Sequence, residues 1–190
     1  MTSTLTHPAL KEWSAAVHAL LDGRQTVLLR KGGIHEKRFE VAPEIAESRF
    51  LLFPTVAHSH AERVRAEHRD LLGTAGVDST EDAVVVRAGA RVVAAVPVNR
   101  PEALEDIAPL HIWTAESVQA DRLDFRPRHR LTVLVVSAVP LCEPIRLQRT
   151  PDYRGCTSWV QLPVHPQWAD PVHDDAFLQE IVAQVRASVG

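Results

Sequence analysis

Apolar positions fall in short blocks along the chain, and their spacing changes from helical to strand-like and back. Leu10, Trp13, Val17, Leu20 and Leu21 follow i, i+3, i+4 intervals, which predicts a helix over Pro8 to Asp22. Thr6 suits its N-cap, Pro8 its first turn and Gly23 its C-terminal stop. QTVLLR, residues 25 to 30, and FLLF, residues 50 to 53, read as strands. Lys31-Gly32-Gly33 breaks the first and Pro54 the second. Phe39 and Val41 alternate with polar neighbours between them, as a short strand does. A middle helix is expected from His60 to Leu72, with Val64, His68 and Leu71 inward and Gly73 closing it. Valine-rich runs on either side of Arg87-Ala88-Gly89-Ala90-Arg91 predict a hairpin over Ala83 to Val98 that turns at Gly89.

Farther along, Pro101 to Asp106 suits a helical turn, and Thr114 is a good N-cap for a helix to about Arg122. Leu131 to Val139 is the strongest strand; Ile145 to Leu147 and Ser158 to Leu162 are shorter ones. Pro163 to Val172 is a proline-spaced loop. Asp174 caps a final helix with Phe177, Ile181, Val182, Val185 and Val189 on its buried side. Short connections between neighbouring strands imply antiparallel pairing. The expected fold is α+β: a largely antiparallel, strongly curved sheet or partial barrel with N-terminal, middle and C-terminal helices, in one domain over residues 1–190. Trp13, Trp159 and the hairpin valines are expected in one core.

Composition narrows the class. Apolar residues make up 45% of the 190, yet no apolar run approaches the ~18 residues of a membrane span. There is no secretory pattern at the N-terminus, and Cys142 and Cys156 are too few for a disulfide framework, so a cytoplasmic location with free thiols is expected. The net charge of −3 argues against binding duplex DNA by bulk charge, and any nucleic-acid site must be a local basic patch. Arginine supplies 18 of the 21 basic residues, the residue type that grips phosphate bidentately.

Four segments carry candidate chemistry. In the first, Arg30 and Lys31 end a strand, Gly32 and Gly33 let a ligand approach the backbone, and His35, Glu36 and Lys37 follow. This is not the GxxxxGK[ST] phosphate loop. In the second, His58, His60 and Glu62 follow the Pro54 turn, and His58 and Glu62 would share a helical face. Histidine and glutamate are divalent-metal ligands. A strand, a proline and a helix are also shared with Nudix hydrolases, but the helix HAERVRAEHRDLL has only Glu62 and Glu67, without the glutamate spacing that Nudix catalysis needs. In the third, His111 and Trp113 have the same parity on an extended run and would form a stacking wall; the alternative is a buried tryptophan with a hydrogen-bonded histidine. In the fourth, Arg154, Gly155, Cys156, Ser158 and Trp159 form a turn. Ser158 lies in no GxSxG elbow, and Cys156 reads as a buried structural thiol.

These segments also carry a family resemblance. LKEW at 10 to 13, LLDGRQTVLLRKGGIHEK at 20 to 37, LLFPTVAH at 51 to 58, LHIWT at 110 to 114 and YRGCTSWVQL at 153 to 162 resemble an uncharacterised bacterial family, domain of unknown function 1802. The resemblance covers about residues 8–162, leaving outside it a C-terminal helix at about 174–188. Val56 stands where an aromatic residue is expected, and Ser137 where a basic one is. The resemblance implies no activity.

The leading expectation is a nucleic-acid or nucleotide binding domain without catalysis or cofactor, using Arg30, Lys31, Gly32, Gly33, His35, Glu36, Lys37, His58, His111, Trp113, Arg154 and Trp159. At the level of fold it resembles the PUA and ASCH class of RNA- and modified-base-binding barrels, which is analogy alone. A second expectation is a hydrolase or nuclease with a divalent metal on Glu36, His58 and Glu62, His111 assisting. A third is a protein-interaction subunit that docks a partner through Arg63 to Arg69. The first two share one geometric requirement: the Lys31 to Lys37 loop and the Pro54 to His58 turn must meet at one end of the sheet.

Overall fold

The computed structural model describes residues 5–31, 48–57 and 59–190. It is α+β, with six strands in one mixed sheet of order β2-β5-β4-β3-β1-β6. β1 (His7–Trp13) lies between β3 (Phe50–Thr55), to which it is parallel, and β6 (Trp159–Leu162), to which it is antiparallel. The parallel pair needs a crossover, and helix α1 (Ser14–Leu21) begins it. β4 (Ala83–Pro97) and β5 (Leu131–Gln148) form the long centre of the sheet, and β2 (Val27–Lys31) pairs with β5 so that Lys31 faces Leu131.

The sheet bears out the expected pairing only in part and corrects the expected curvature. One of the five strand pairs is parallel, β2 and β6 remain as edges, and the sheet neither closes nor curls strongly. Its bending is local, at two register shifts in the β4–β5 ladder, between Val86 and Ala88 and between Val92 and Ala94.

Four local expectations also change. The predicted first helix starts only at Ser14, because Ala9 and Leu10 are fully buried between two strands and their backbone completes the sheet. The middle helix breaks after α2 (His60–Arg63): Val64 is extended and bridges Trp113, and a new helix, α3 (Leu71–Ala75), runs through Gly73. The expected hairpin is a single strand. Gly89 pairs Leu51 on one side and Val139 on the other, and a Cβ there would lie 2.3 Å from the Phe50 carbonyl oxygen and 2.4 Å from the Trp168 ring. Its glycine serves close approach, not a turn. In the last helix, α5 (Asp175–Val189), Leu178 takes the buried place expected for Phe177, which is 38% exposed. The capping residues Thr114 and Asp174 do what their positions imply, accepting from the Ser117 and Phe177 amides.

The interior divides into three apolar clusters. Val96 joins Leu29, Ile107, Ile112, Val133 and the inner face of α5; Val92 joins Leu10, Leu28, Phe50 and Leu134; Val84 and Val86 join Phe53, Tyr153 and Leu162. Trp13 packs on the first and Trp159 on the second, so the expected single core is not formed. Cys142 and Cys156 are free, and Cys156 is exposed where a buried thiol was expected. No helix among the described residues is long and apolar enough to cross a membrane.

The close approach at Gly89 gives a direct test. Gly89→Ala should destabilise the protein by about 3 kcal/mol, since the methyl group meets backbone on one side and a packed indole on the other. A urea titration with an unchanged midpoint would show that Trp168 does not seat there.

Candidate functional site

The ends of β1, β2 and β3 converge on Glu12. Its carboxylate is buried and accepts from the Trp13 amide (2.9 Å) and from Arg30 Nη1 (3.3 Å), while Arg30 Nη1 also donates to the Lys11 carbonyl (3.2 Å). Thr55 Oγ1 donates to the Glu12 carbonyl (3.1 Å). The exits of β2 and β3 therefore meet at one place, as the site expectation requires of them. Gly32, Gly33, His35, Glu36, Lys37 and His58 lie outside the described residues.

Above this junction opens a cleft of about 370 Å³, lined by Trp13, Arg30, Lys31, Arg63, Asp121, Arg122, Phe125 and Ser158, among others. Arg122 reaches it from a π-helical turn, Gln119–Asp124, that continues α4 (Ala115–Val118). Such widened turns re-aim side chains and recur at functional sites. Lys31 Nζ donates to the Leu123 carbonyl of the same turn (2.7 Å). Arg63 Nε donates to Asp121 (2.6 Å), Nη1 to the Ser59 hydroxyl, and the guanidinium lies 5.2 Å from the Trp13 ring centre. Trp13 is held in turn by His60, at 4.9 Å between ring centres, and by the edge of Trp113 at 6.1 Å.

Four cationic side chains thus face one another here, against the carboxylates of Asp121 and Glu12. The crowding is felt at Arg122. Burial pushes its guanidinium down; Glu12 and Asp121 oppose that shift, and Arg30 and Arg63 add to it. Its Nε is buried with no hydrogen-bond partner among the described residues. Burial likewise pushes the Lys31 ammonium down, against Asp124. Surplus donors and mutually repelling cations are chemistry that an anion can satisfy.

The remaining sequence candidates lie elsewhere. His111 and Trp113 are buried, and they form part of the wall of a different cavity of about 550 Å³, with Arg65, Glu67, Glu102 and Glu105. They build no open stacking wall: the Trp113 amide donates to His111 Nδ1 (3.1 Å), which turns the pair into a local brace. Trp159 is half-buried, edge-on to Phe50 at 5.2 Å, and Arg154 is exposed on the turn before β6. Glu62 is exposed on α2. Among the described residues no three His, Cys, Asp or Glu side chains gather as metal ligands. Of the basic stripe expected to dock a partner, Arg63 and Arg65 are half-buried and Arg69 is exposed. Arg65 donates to the carbonyls of Ala108 (2.8 Å), Trp113 (3.3 Å) and His111, and Arg69 to that of Val64 (3.4 Å). The sequence pattern does not mark Glu12, Trp13, Arg122 or Phe125 as site residues, and it marks Arg63 only as part of a partner-docking stripe. The one local signal for Arg122 and Phe125 is the polar, aromatic stretch ADRLDF after a capped helix.

The chain belongs to the family described as Domain of unknown function (DUF1802), which matches residues 9–184. No curated protein matches it. A crystal structure of a mutant ASCH protein from Zymomonas mobilis is similar at 12% sequence identity, over 93% of this chain and 94% of that one, with a TM-score of 0.43.

The brace at His111 makes stability depend on pH. Burial, reinforced by Arg65 and Arg122, pushes His111 down to about 3. An unfolded chain protonates this histidine near 6.5, so acidification from pH 7 to 4.5 favours unfolding. His111→Asn keeps an acceptor beside the Trp113 amide but cannot titrate. Its stability should fall less over that interval than the parent's, by about 2 kcal/mol in chemical denaturation. Parallel pH curves for the two proteins would show that His111 is protonated in the fold.

Proposed function

We propose that this chain is a nucleic-acid or nucleotide binding domain without catalysis, and that the cleft between Arg30 and Arg122 seats a phosphate. The observation that carries this reading is the crowding of cations in a confined space: Arg30, Lys31, Arg63 and Arg122 outnumber the carboxylates of Glu12, Asp121 and Asp124 beside them, in a chain whose total charge is −3. Selection for folding alone does not favour packing Arg30, Arg63 and Arg122 against one another, since each loses hydration and repels the others. A phosphate oxygen would take up the open Arg122 Nε and screen that repulsion. Trp13 and Phe125 in the lining supply aromatic surface next to the phosphate seat, which suits the base of the same nucleotide. The exposed, unpaired Cys142 and Cys156 fit a reducing compartment, and we place the protein in the bacterial cytoplasm.

The repulsion predicts a trade between stability and binding. Arg122→Met keeps the length of the side chain and removes its charge. It should leave stability unchanged or raise it by about 1 kcal/mol, while weakening a fluorescein-labelled oligonucleotide at least tenfold in anisotropy titrations. Arg91→Gln, which removes an exposed pair with Asp175 on another face, should bind as the parent does. Parent-like affinity in Arg122→Met would overturn the assignment of the cleft.

A further inference from the structure

The segment Arg126-Pro127-Arg128-His129-Arg130 connects the π-helical turn to β5, and all five residues are exposed. The side chains of Arg126, Arg128 and Arg130 form no ion pair or hydrogen bond among the described residues. Three arginines in five residues without a carboxylate or carbonyl partner make a dense basic run in a chain of net negative charge, where Arg65, Arg87 and Arg149 each hold such a partner.

Both ends of this segment are tied to the phosphate cleft. Phe125, immediately before it, lines the cleft, and Leu131, immediately after it, pairs with Lys31 across the β2–β5 ladder. Five residues span at most about 17 Å, so the loop leaves and returns beside the cleft. Two further features set it apart. Phe125 is 52% exposed, an apolar ring left in water at the mouth of a cationic cleft. Arg126 holds a left-handed backbone, φ 47°, which non-glycine residues adopt at a cost, and its guanidinium lies over the Phe125 ring at 5.1 Å.

We propose, resting on the phosphate-seat reading above, that the ligand is a single-stranded polynucleotide of several residues. One nucleotide occupies the cleft, and the adjoining backbone runs along Arg126, Arg128 and Arg130 with a neighbouring base on Phe125. A mononucleotide uses only the cleft and leaves the three arginines without work. A duplex hides the base faces that Phe125 would stack on, and it needs a broader field of cations than this loop and cleft supply. Single strands offer both open base faces and a flexible run of phosphates.

The test uses the full chain and three probes: a fluorescein-labelled 12-residue oligouridylate, the same sequence in a 12-base-pair duplex, and uridine monophosphate followed by tryptophan fluorescence. The variant Arg126→Gln, Arg128→Gln and Arg130→Gln lies in an exposed loop; Phe125→Ala removes the ring separately. The oligouridylate should bind the parent more tightly than the duplex does. The triple variant should lose at least tenfold in oligouridylate affinity, and the slope of log affinity against log salt should fall in magnitude by about 2. Phe125→Ala should lose roughly tenfold, and the monophosphate should bind the triple variant as it binds the parent. Oligouridylate binding that survives in the triple variant but is lost in Arg122→Met would overturn the track and leave the phosphate seat standing. Equal binding of duplex and single strand would overturn the single-strand assignment. A parent that binds none of the three would overturn the phosphate seat itself, and the track with it.

Discussion

A carboxylate buried at the end of a strand must find donors nearby, and Glu12 finds them in a way that organises everything around it. Its own chain supplies the Trp13 amide; β2 supplies Arg30; and the adjacent carbonyl takes the Thr55 hydroxyl from β3. Leaving such a group unpaired costs about 3–5 kcal/mol, so the three strand ends are held together by a penalty as much as by an attraction. β2 is an edge strand and β1 lies four places away in the sheet order, yet Arg30 reaches β1. Without that link, the end of β2 would be held only through β5 and the Leu123 carbonyl, with no direct contact to β1 beside Trp13.

The same link explains why cations collect there. Arg30 is partly neutralised by Glu12, which allows a second guanidinium, Arg122, to come close. Arg63 is placed by Asp121 and the Trp13 ring and brings a third. Arg30, Lys31 and Arg63 are thus tethered by groups of the protein itself, so these donors are ordered in the free fold. Preorganisation of this kind reduces the entropy lost on association. Trp113 and His60 pack against Trp13, which itself lines the cleft. They fix α2 against the end of β1, so that Arg63 projects into the cleft rather than into solvent.

How far the sequence anticipates this depends on how local the cause is. The strands at QTVLLR and FLLF, the caps at Thr114 and Asp174, and most of the inner face of the last helix follow from nearest neighbours, and they are where the pattern puts them. Pro8 to Trp13 goes the other way. Its spacing is helical, but the sheet wants a strand between β3 and β6, and full burial on both sides outweighs periodicity. Gly89 reads as a turn because glycine usually marks one. Only the position of Trp168, far along the chain, shows that the missing side chain is the point. The site divides along the same line. Arg30 and Lys31 are legible from a strand end rich in glycine and charge, whereas Glu12 and Arg122 become site residues only through contacts made across the fold, such as Lys31 with Leu123.

A mildly acidic protein with a local cationic cleft differs physically from a uniformly basic one. At physiological ionic strength charges farther than about 8 Å are largely screened, so the overall −3 weakens the cleft's field little at contact. It does remove long-range attraction to polyanions in general. Such a protein will not coat nucleic acid, because beyond the screening length it presents no net positive field. On the proposed reading, affinity has to come from short-range terms: donors already in place, a desolvated Arg122, and aromatic surface at the mouth. These terms are directional, so the proposed reading calls for a ligand that presents phosphate and base together and for selectivity that does not depend on a large basic face.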